Sequence, residues 1–186
     1  MSWNSLMSKI YTGVGSRETP QSIIKVMEKI GEIAALNGWT LRSGNAIGPD
    51  TAFFVGCQRG NGASEIYLPW KGQVNGKSSR TIVECQVCDD AKQLASTIHP
   101  YWKNLKPTTE LLLARNMYQG LGKTLDIPTR FVVCFTKDGC ERWEDYSPEK
   151  TGGTGMVISL ASKLEIPVYN LANDNRLEHI LEIIKD

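Results

Sequence analysis

Three glycine-rich segments hold the residue types that grip an anion: Gly13-Val14-Gly15-Ser16-Arg17, Ser43-Gly44-Asn45-Ala46-Ile47-Gly48-Pro49-Asp50 and Thr151-Gly152-Gly153-Thr154-Gly155. Glycine lets backbone N–H groups approach phosphate oxygens closely, and a helix N-terminus aims such groups and its dipole at negative charge. Each segment follows a predicted strand and precedes a predicted helix. In an open parallel sheet this places all three outside the carboxyl ends of the strands, where ligands bind. Glycine also serves ordinary tight βα turns, so one such loop says little, whereas three on one edge point to a phosphate-bearing ligand. Arg17 and Arg115 are the cations placed to add charge-assisted contacts.

Other chemistries fit less well. A dinucleotide fingerprint needs a third glycine at position 18 and an acid closing the second strand, but the chain has Glu18 and Arg42-Ser43 there, which disfavours an NAD-type cofactor. Gly122-Lys123-Thr124 imitates the end of a phosphate-binding P-loop, yet it ends a predicted helix and Met117 occupies the earlier glycine position. Cys85 and Cys88 form the one close cysteine pair, with His99 and His179 elsewhere, so neither metal nor cofactor is expected. Both histidines read as solvated or core-edge residues without a nucleophile to serve. Glu141, Glu144 and Asp145 read as a solvated loop, in which Trp143 and Tyr146 could stack on a base if the loop folds over a ligand.

The elements that must position these residues follow from apolar periodicity. Short apolar runs at Lys9–Val14, Trp39–Ser43, Glu65–Leu68, Phe131–Phe135 and Ile166–Leu171 alternate with helical patterns, the signature of an α/β parallel sheet. The unbroken run Phe131–Phe135 predicts a central strand. Thr19 and Pro20 predict the start of a helix with Ile23, Met27, Ile30 and Ala34 on its buried face. Further helices are expected from Gly48 to about Arg59, at 89–97, at 109–120, from Gly155 to Leu164, and after Asn173 or Asp174 as caps. In the helix at 109–120, Leu112, Arg115 and Gln119 cannot share the face of Leu113, Met117 and Leu121, which leaves the Arg115 face free for work. Residues 69–80 read as a long surface loop, and no strand is read between it and the helix at Asp89.

Composition bounds the rest. A chain of 186 residues, 41% hydrophobic and 22% charged, fits one globular domain. Twenty-one Lys and Arg against 20 Asp and Glu give a net charge of +1, which offers no overall case for a polyanion partner. No apolar stretch suits a bilayer, and the first residues lack a signal-peptide pattern, so no membrane partner is expected. Five cysteines, an odd number, suggest reduced thiols in the cytoplasm rather than a disulfide framework.

In this order, Gly15-Ser16-Arg17-Glu18-Thr19-Pro20, Ser43 to Asp50, Arg115-Asn116 with Gly120-Leu121, and Thr151 to Gly155 resemble the core of the DNA-processing protein A (DprA/Smf) family. That family groups with the LOG phosphoribohydrolases in the SLOG superfamily. The resemblance spans most of the chain and implies a Rossmann-like open parallel sheet with helices on both faces, as a single domain over residues 1–186. It implies a bacterial or phage-encoded cytoplasmic protein that holds a nucleotide, such as a signalling nucleotide, through Gly13, Gly15, Ser16, Arg17, Ser43, Gly44, Asn45, Ala46, Gly48, Arg115, Asn116 and Thr151, Gly152, Gly153, Thr154, Gly155. By analogy it self-associates.

The departures from that family sort the alternatives. DprA proteins usually carry extra domains, for which this length leaves no space, and the near-zero charge moves single-stranded DNA binding to second place. A DNA-binding reading would use Lys71, Lys77 and Arg80 of the long loop. The LOG enzymes have a glutamate where this chain has Ser159. Cleaving the N-glycosidic bond of a nucleotide would therefore need a substitute acid such as Asp50 or Glu110, since an oxocarbenium-like transition state wants a nearby carboxylate. Asp50 reads first as a charge that complements a helix N-terminus, and Glu110 as a first-turn residue. Binding thus ranks ahead of catalysis.

Overall fold

A computed structural model describes residues 8–186. The signal-peptide reading falls partly on residues 1–7, outside the described residues. Six parallel strands, β1 (Ile10–Gly13), β2 (Thr40–Ser43), β3 (Ser64–Tyr67), β4 (Thr81–Glu84), β5 (Val132–Cys134) and β6 (Val168–Asn170), form one sheet in the order β4-β3-β2-β1-β5-β6. Thr12 of β1 pairs with Arg42 on one side and Val132 on the other. The chain winds outward from β1 in one direction through β4, then in the other through β5 and β6. The direction reverses between β1 and β5, which opens a crevice at the carboxyl edge there.

Helices cover both faces. On one, α1 (Gln21–Leu36), α2 (Pro49–Arg59) and α6 (Arg176–Lys185) bury Met27, Phe53 and Ile184 against Tyr11, Leu41 and Phe131 of the sheet. On the other lie α3 (Asp89–Ser96), α4 (Pro107–Leu121) and α5 (Gly155–Lys163). Successive strand residues point to opposite faces, so Phe131 and Val133 join the first core while Val132 and Cys134 join Val157 and Ile158 of α5. Both faces of β5 are thereby buried, as its apolar run requires.

Three local expectations are corrected. Residues 81–84 form the edge strand β4, paired with β3 from Ser64–Thr81 to Tyr67–Glu84. The loop before it is pinned by buried Val74 and by Asn45 Nδ2 donating to Gln73 O at 3.0 Å. Thr19 does not cap α1: its hydroxyl turns back to donate to Ser16 O at 2.6 Å, tightening the glycine turn. Likewise α6 begins after Asn175, because Asn173 spends its amide on Gly139 O at 3.0 Å.

Candidate functional site

A cleft of about 420 Å³ opens at the reversal point. One wall is the Gly15-Ser16-Arg17 turn, held by Ser16 N–H donating to Phe135 O at 2.9 Å. Opposite it a short 3₁₀ turn, Gly152–Thr154, runs straight into α5, so that helix opens onto the cleft without an acid in its first turn. Ala46 and Asp50 enter from the start of α2. Arg115, Asn116 and Gln119 enter from α4, together with Leu112, on the face that periodicity left free. Leu113 reaches the cleft too, while Met117 and Leu121 stay in the core behind it.

The buried polar groups form one connected chain. Arg115 is 8% exposed; its Nη1 donates to Tyr67 O at 2.8 Å and its Nε to Asn116 Oδ1 at 3.0 Å. Asn116 Nδ2 donates in turn to Gly153 O at 3.0 Å. The end of β3, helix α4 and the late glycine turn are thus tied through two adjacent side chains. Burial draws the Arg115 guanidinium below its ordinary value, and the nearby Asp50 carboxylate opposes that shift. Burial pushes the Asp50 carboxyl up to about 6, against the pull of Arg115 and of the Ala46 and Gly44 amides. Asp50 therefore complements the start of α2, as read from sequence, and also faces the cleft.

The expected site residues divide into two groups. Gly15, Ser16, Arg17, Ala46, Asp50, Arg115, Asn116, Gly152, Gly153 and Thr154 line the cleft. Gly13, Ser43, Gly44, Asn45, Gly48, Thr151 and Gly155 stand behind it and shape it. A Cβ on Gly13 would strike the Phe53 ring at 2.5 Å, and one on Gly44 would overlap Arg115 and Asp50. Ser43 Oγ donates to Gly13 O at 2.6 Å, joining the first two loops. Gly48 has φ +100°, a conformation glycine alone adopts at little cost. Thr151 Oγ1 donates to Asp138 Oδ2 at 2.6 Å and accepts from Ser147 N–H, and Gly155 leaves room for the Tyr146 ring. Glu110 sits half-buried in the first turn of α4 and does not line the cleft.

The structure adds Glu149, Lys150, Thr109 and Gln119 to the lining. Gln119 shares the α4 face that periodicity left free, whereas Glu149 and Lys150 had only their place beside the late glycine loop, and Thr109 only its place at the start of α4. Of the acidic loop, Glu141 is not solvated: it accepts from Arg176 at 2.6 and 2.7 Å and from Asn170 N–H at 2.8 Å. Trp143 lies under the Lys163 ammonium and Tyr146 packs against the core, so neither reaches the cleft. His99 is a core-edge residue whose Nδ1 accepts from Tyr101 N–H at 3.2 Å, and His179 is exposed. Ser159 is buried outside the cleft with an unpartnered hydroxyl. Among the described residues no cluster of His, Cys, Asp or Glu fits a metal ion, and no helix is long and apolar enough to cross a membrane.

No family model and no curated protein sequence matches the chain. Solved structures do. The Moco carrier protein of Chlamydomonas reinhardtii superposes with a TM-score of 0.51 over 95% of this chain and 84% of that one, at 17% identity. DNA processing protein A from Streptococcus pneumoniae superposes with a TM-score of 0.51 at 19% identity, over 95% of this chain and 56% of that one. The chain has a DprA-like Rossmann fold. At these identities the likeness is one of architecture, and function rests on the cleft itself.

Proposed function

We propose that the chain binds a nucleotide or nucleotide-derived small molecule in the cleft between β1 and β5. The observation that carries this is the convergence of two glycine turns, Gly15–Arg17 and Gly152–Thr154, on the Arg115 guanidinium within one cleft of about 420 Å³. Backbone amides at a helix start and a nearly buried arginine are suited to phosphate oxygens. The volume lies toward the lower end of the roughly 300–1,000 Å³ common for small-molecule sites, which fits one nucleotide better than two. One solved neighbour is named as a carrier of Moco and another for DNA processing, so a small molecule or a nucleic acid is in keeping with both.

Thermal-shift titration with nucleoside mono- and diphosphates tests the proposal. Stabilisation by at least one of them, weakened in Arg17→Ala without loss of the folded baseline, supports it; no stabilisation across the panel refutes it. Single-stranded DNA belongs in the same panel: binding that falls steeply with salt and depends on Lys71, Lys77 and Arg80 would favour that partner instead.

A second reading is supported by Asp50. Its buried carboxyl faces the cleft and titrates near pH 6, so it holds or releases a proton close to neutrality, as an acid for N-glycosidic cleavage must. Release of free base from a nucleoside monophosphate, abolished in Asp50→Asn and unchanged in Glu110→Gln, would establish it.

A further inference from the structure

We infer that the Asp50 carboxylate accepts a hydroxyl of the ligand's pentose, so that the cleft prefers a ribonucleotide to a nucleotide whose sugar has lost its hydroxyls. The inference rests on the nucleotide-binding reading and adds the chemistry of the sugar.

Two nearly buried, opposite charges line the cleft: Asp50 is 4% exposed and Arg115 8%. Each is held by other groups. Arg115 donates to Tyr67 O and Asn116 Oδ1, while Asp50 Oδ2 accepts from Ala46 N–H at 3.4 Å and the Gly44 amide assists. On each other the two charges act through space. They flank Gly44, where a Cβ would lie 2.5 Å from Asp50 Oδ2 and would also overlap Arg115 Nη1. Two amide donors fill only part of the roughly four acceptor positions of a carboxylate.

The same contacts set an order along the cleft wall. Gly153 O accepts from Asn116, Asn116 Oδ1 accepts from Arg115, and Arg115 stands beside Asp50. A phosphate on the late glycine turn and the guanidinium therefore has Asp50 as its neighbour beyond the arginine. What can sit there follows from charge. A second anionic group meets the carboxylate's repulsion where water screens little, and an ammonium meets the guanidinium. A neutral group is left, which must donate to Asp50 and accept from Arg115. A hydroxyl does both with one oxygen, and a vicinal diol does so with two. An acidic side chain on a ribose hydroxyl is a recurrent device of open α/β sheets. Here it comes from the start of α2 instead of the end of β2.

Calorimetric titration of the full chain at pH 7.5 compares adenosine, guanosine, cytidine and uridine monophosphates with their 2′,3′-dideoxy counterparts and with inorganic phosphate. At least one ribonucleotide should bind roughly tenfold or more tighter than its dideoxy counterpart, the scale of one hydrogen bond to a charged group. Asp50→Asn should shrink that margin to about threefold or less, while dideoxynucleotide and phosphate binding hold or tighten because the repelling charge is gone. An equal loss of affinity for both sugars in that variant would overturn the inference, since a merely structural Asp50 predicts it. Dideoxynucleotides binding as tightly as ribonucleotides, or phosphate binding alone, would overturn it while sparing the anion site, and neither result needs a variant. Binding by none of these probes would overturn both readings.

Discussion

Arg115 and Asn116, neighbours in the sequence of α4, are joined side chain to side chain by a 3.0 Å hydrogen bond from Nε to Oδ1. Adjacent helical residues diverge by about 100° and do not ordinarily meet. Here they do because each has a backbone carbonyl to reach on a different loop, Tyr67 O for Arg115 and Gly153 O for Asn116. The pair fixes the guanidinium relative to the late glycine turn.

Asn116→Leu should uncouple them. It leaves Gly153 O and Arg115 Nε without their partners, at about 1–3 kcal/mol for each group that water cannot reach. We expect a lower thermal midpoint and at least tenfold weaker phosphate-ligand binding, with the fold retained by circular dichroism. Asn116→Asp should weaken binding as much, since a carboxylate cannot donate to Gly153 O and draws charge from Arg115. Wild-type affinity in both variants would show that the pair does not organise the cleft.

Asp50 gives the protein a pH dependence of predictable sign. Its carboxyl titrates near 6 in the folded chain, raised by burial from 3.8. The folded state thus holds a proton that the unfolded state has released, and this group lowers stability progressively as pH rises from about 4 to about 6. At about 1.4 kcal/mol per pKa unit, the full difference is roughly 3 kcal/mol. Asp50→Asn does not titrate, so its stability relative to wild type should rise by up to that amount between pH 4 and pH 7. Urea denaturation at several pH values measures the difference, and a pH-independent gap would contradict the burial of an ionised Asp50. Arg115 is the cation facing it, and Arg115→Met should raise its titration point further.

Much of this was legible in the residues. The five inner and outer strands with dense apolar runs, the helix faces and the Arg115 face all follow from period, and the glycine loops mark the carboxyl edge. What the sequence could not show is instructive. β4 is a four-residue edge strand, Thr-Ile-Val-Glu, too short and too half-exposed to carry alternation. Gln119 belongs to no motif, and only its place on the Arg115 face of α4 pointed to the cleft it lines. Thr19 and Asn173 carried capping signals yet serve loop carbonyls instead, Ser16 O within the same turn for Thr19 and Gly139 O from a distant loop for Asn173. Glu141 reads as solvent-facing from its polar neighbours, and only the fold brings Arg176 onto it.

The packing of α1 against α2 depends on Gly56. A Cβ there would run into Glu28 O and come within 2.9 Å of Glu32 N, both backbone atoms of α1 that cannot swing aside. Gly56→Ala should therefore push the helices apart and cost about 1–3 kcal/mol or more, despite alanine's better helix propensity. Gly38, which has φ +80° and open space about it, makes the contrast. Gly38→Ala suffers backbone strain alone, and Gly38→Asn should be milder still, because asparagine tolerates a left-handed conformation. Thermal midpoints ordered Gly56→Ala below Gly38→Ala below Gly38→Asn would bear this out; equal effects of the two alanines would mean that α2 shifts freely.

Cys88 should be the most reactive thiol near neutral pH. It is exposed and occupies the N-cap position of α3, where Tyr118 Oη accepts from its N–H at 2.8 Å and donates to its Sγ at 3.1 Å. That hydroxyl bond lowers the thiol's titration point most. The Ala91 and Asp90 amides assist, against partial burial and the Asp90 carboxylate; Asp89, fully exposed, is paired with Lys92. Burial holds Tyr118 up at about 12, so it stays protonated and keeps donating, whereas burial pushes Cys57 up to about 11 and raises Cys134 and Cys140 as well. Because the thiolate is the nucleophile, iodoacetamide at pH 7.5 should label Cys88 ahead of Cys57, Cys134 and Cys140 in peptide mapping. The midpoint of its pH–rate profile should fall below the ordinary thiol value of about 8.5. Tyr118→Phe removes the donor while keeping the ring stacked on Tyr67, at 5.6 Å between centroids, so the midpoint should move up with little loss of stability. A Cys88 midpoint at or above the ordinary value in wild type, or one unmoved by Tyr118→Phe, would show that the hydroxyl does not stabilise the thiolate.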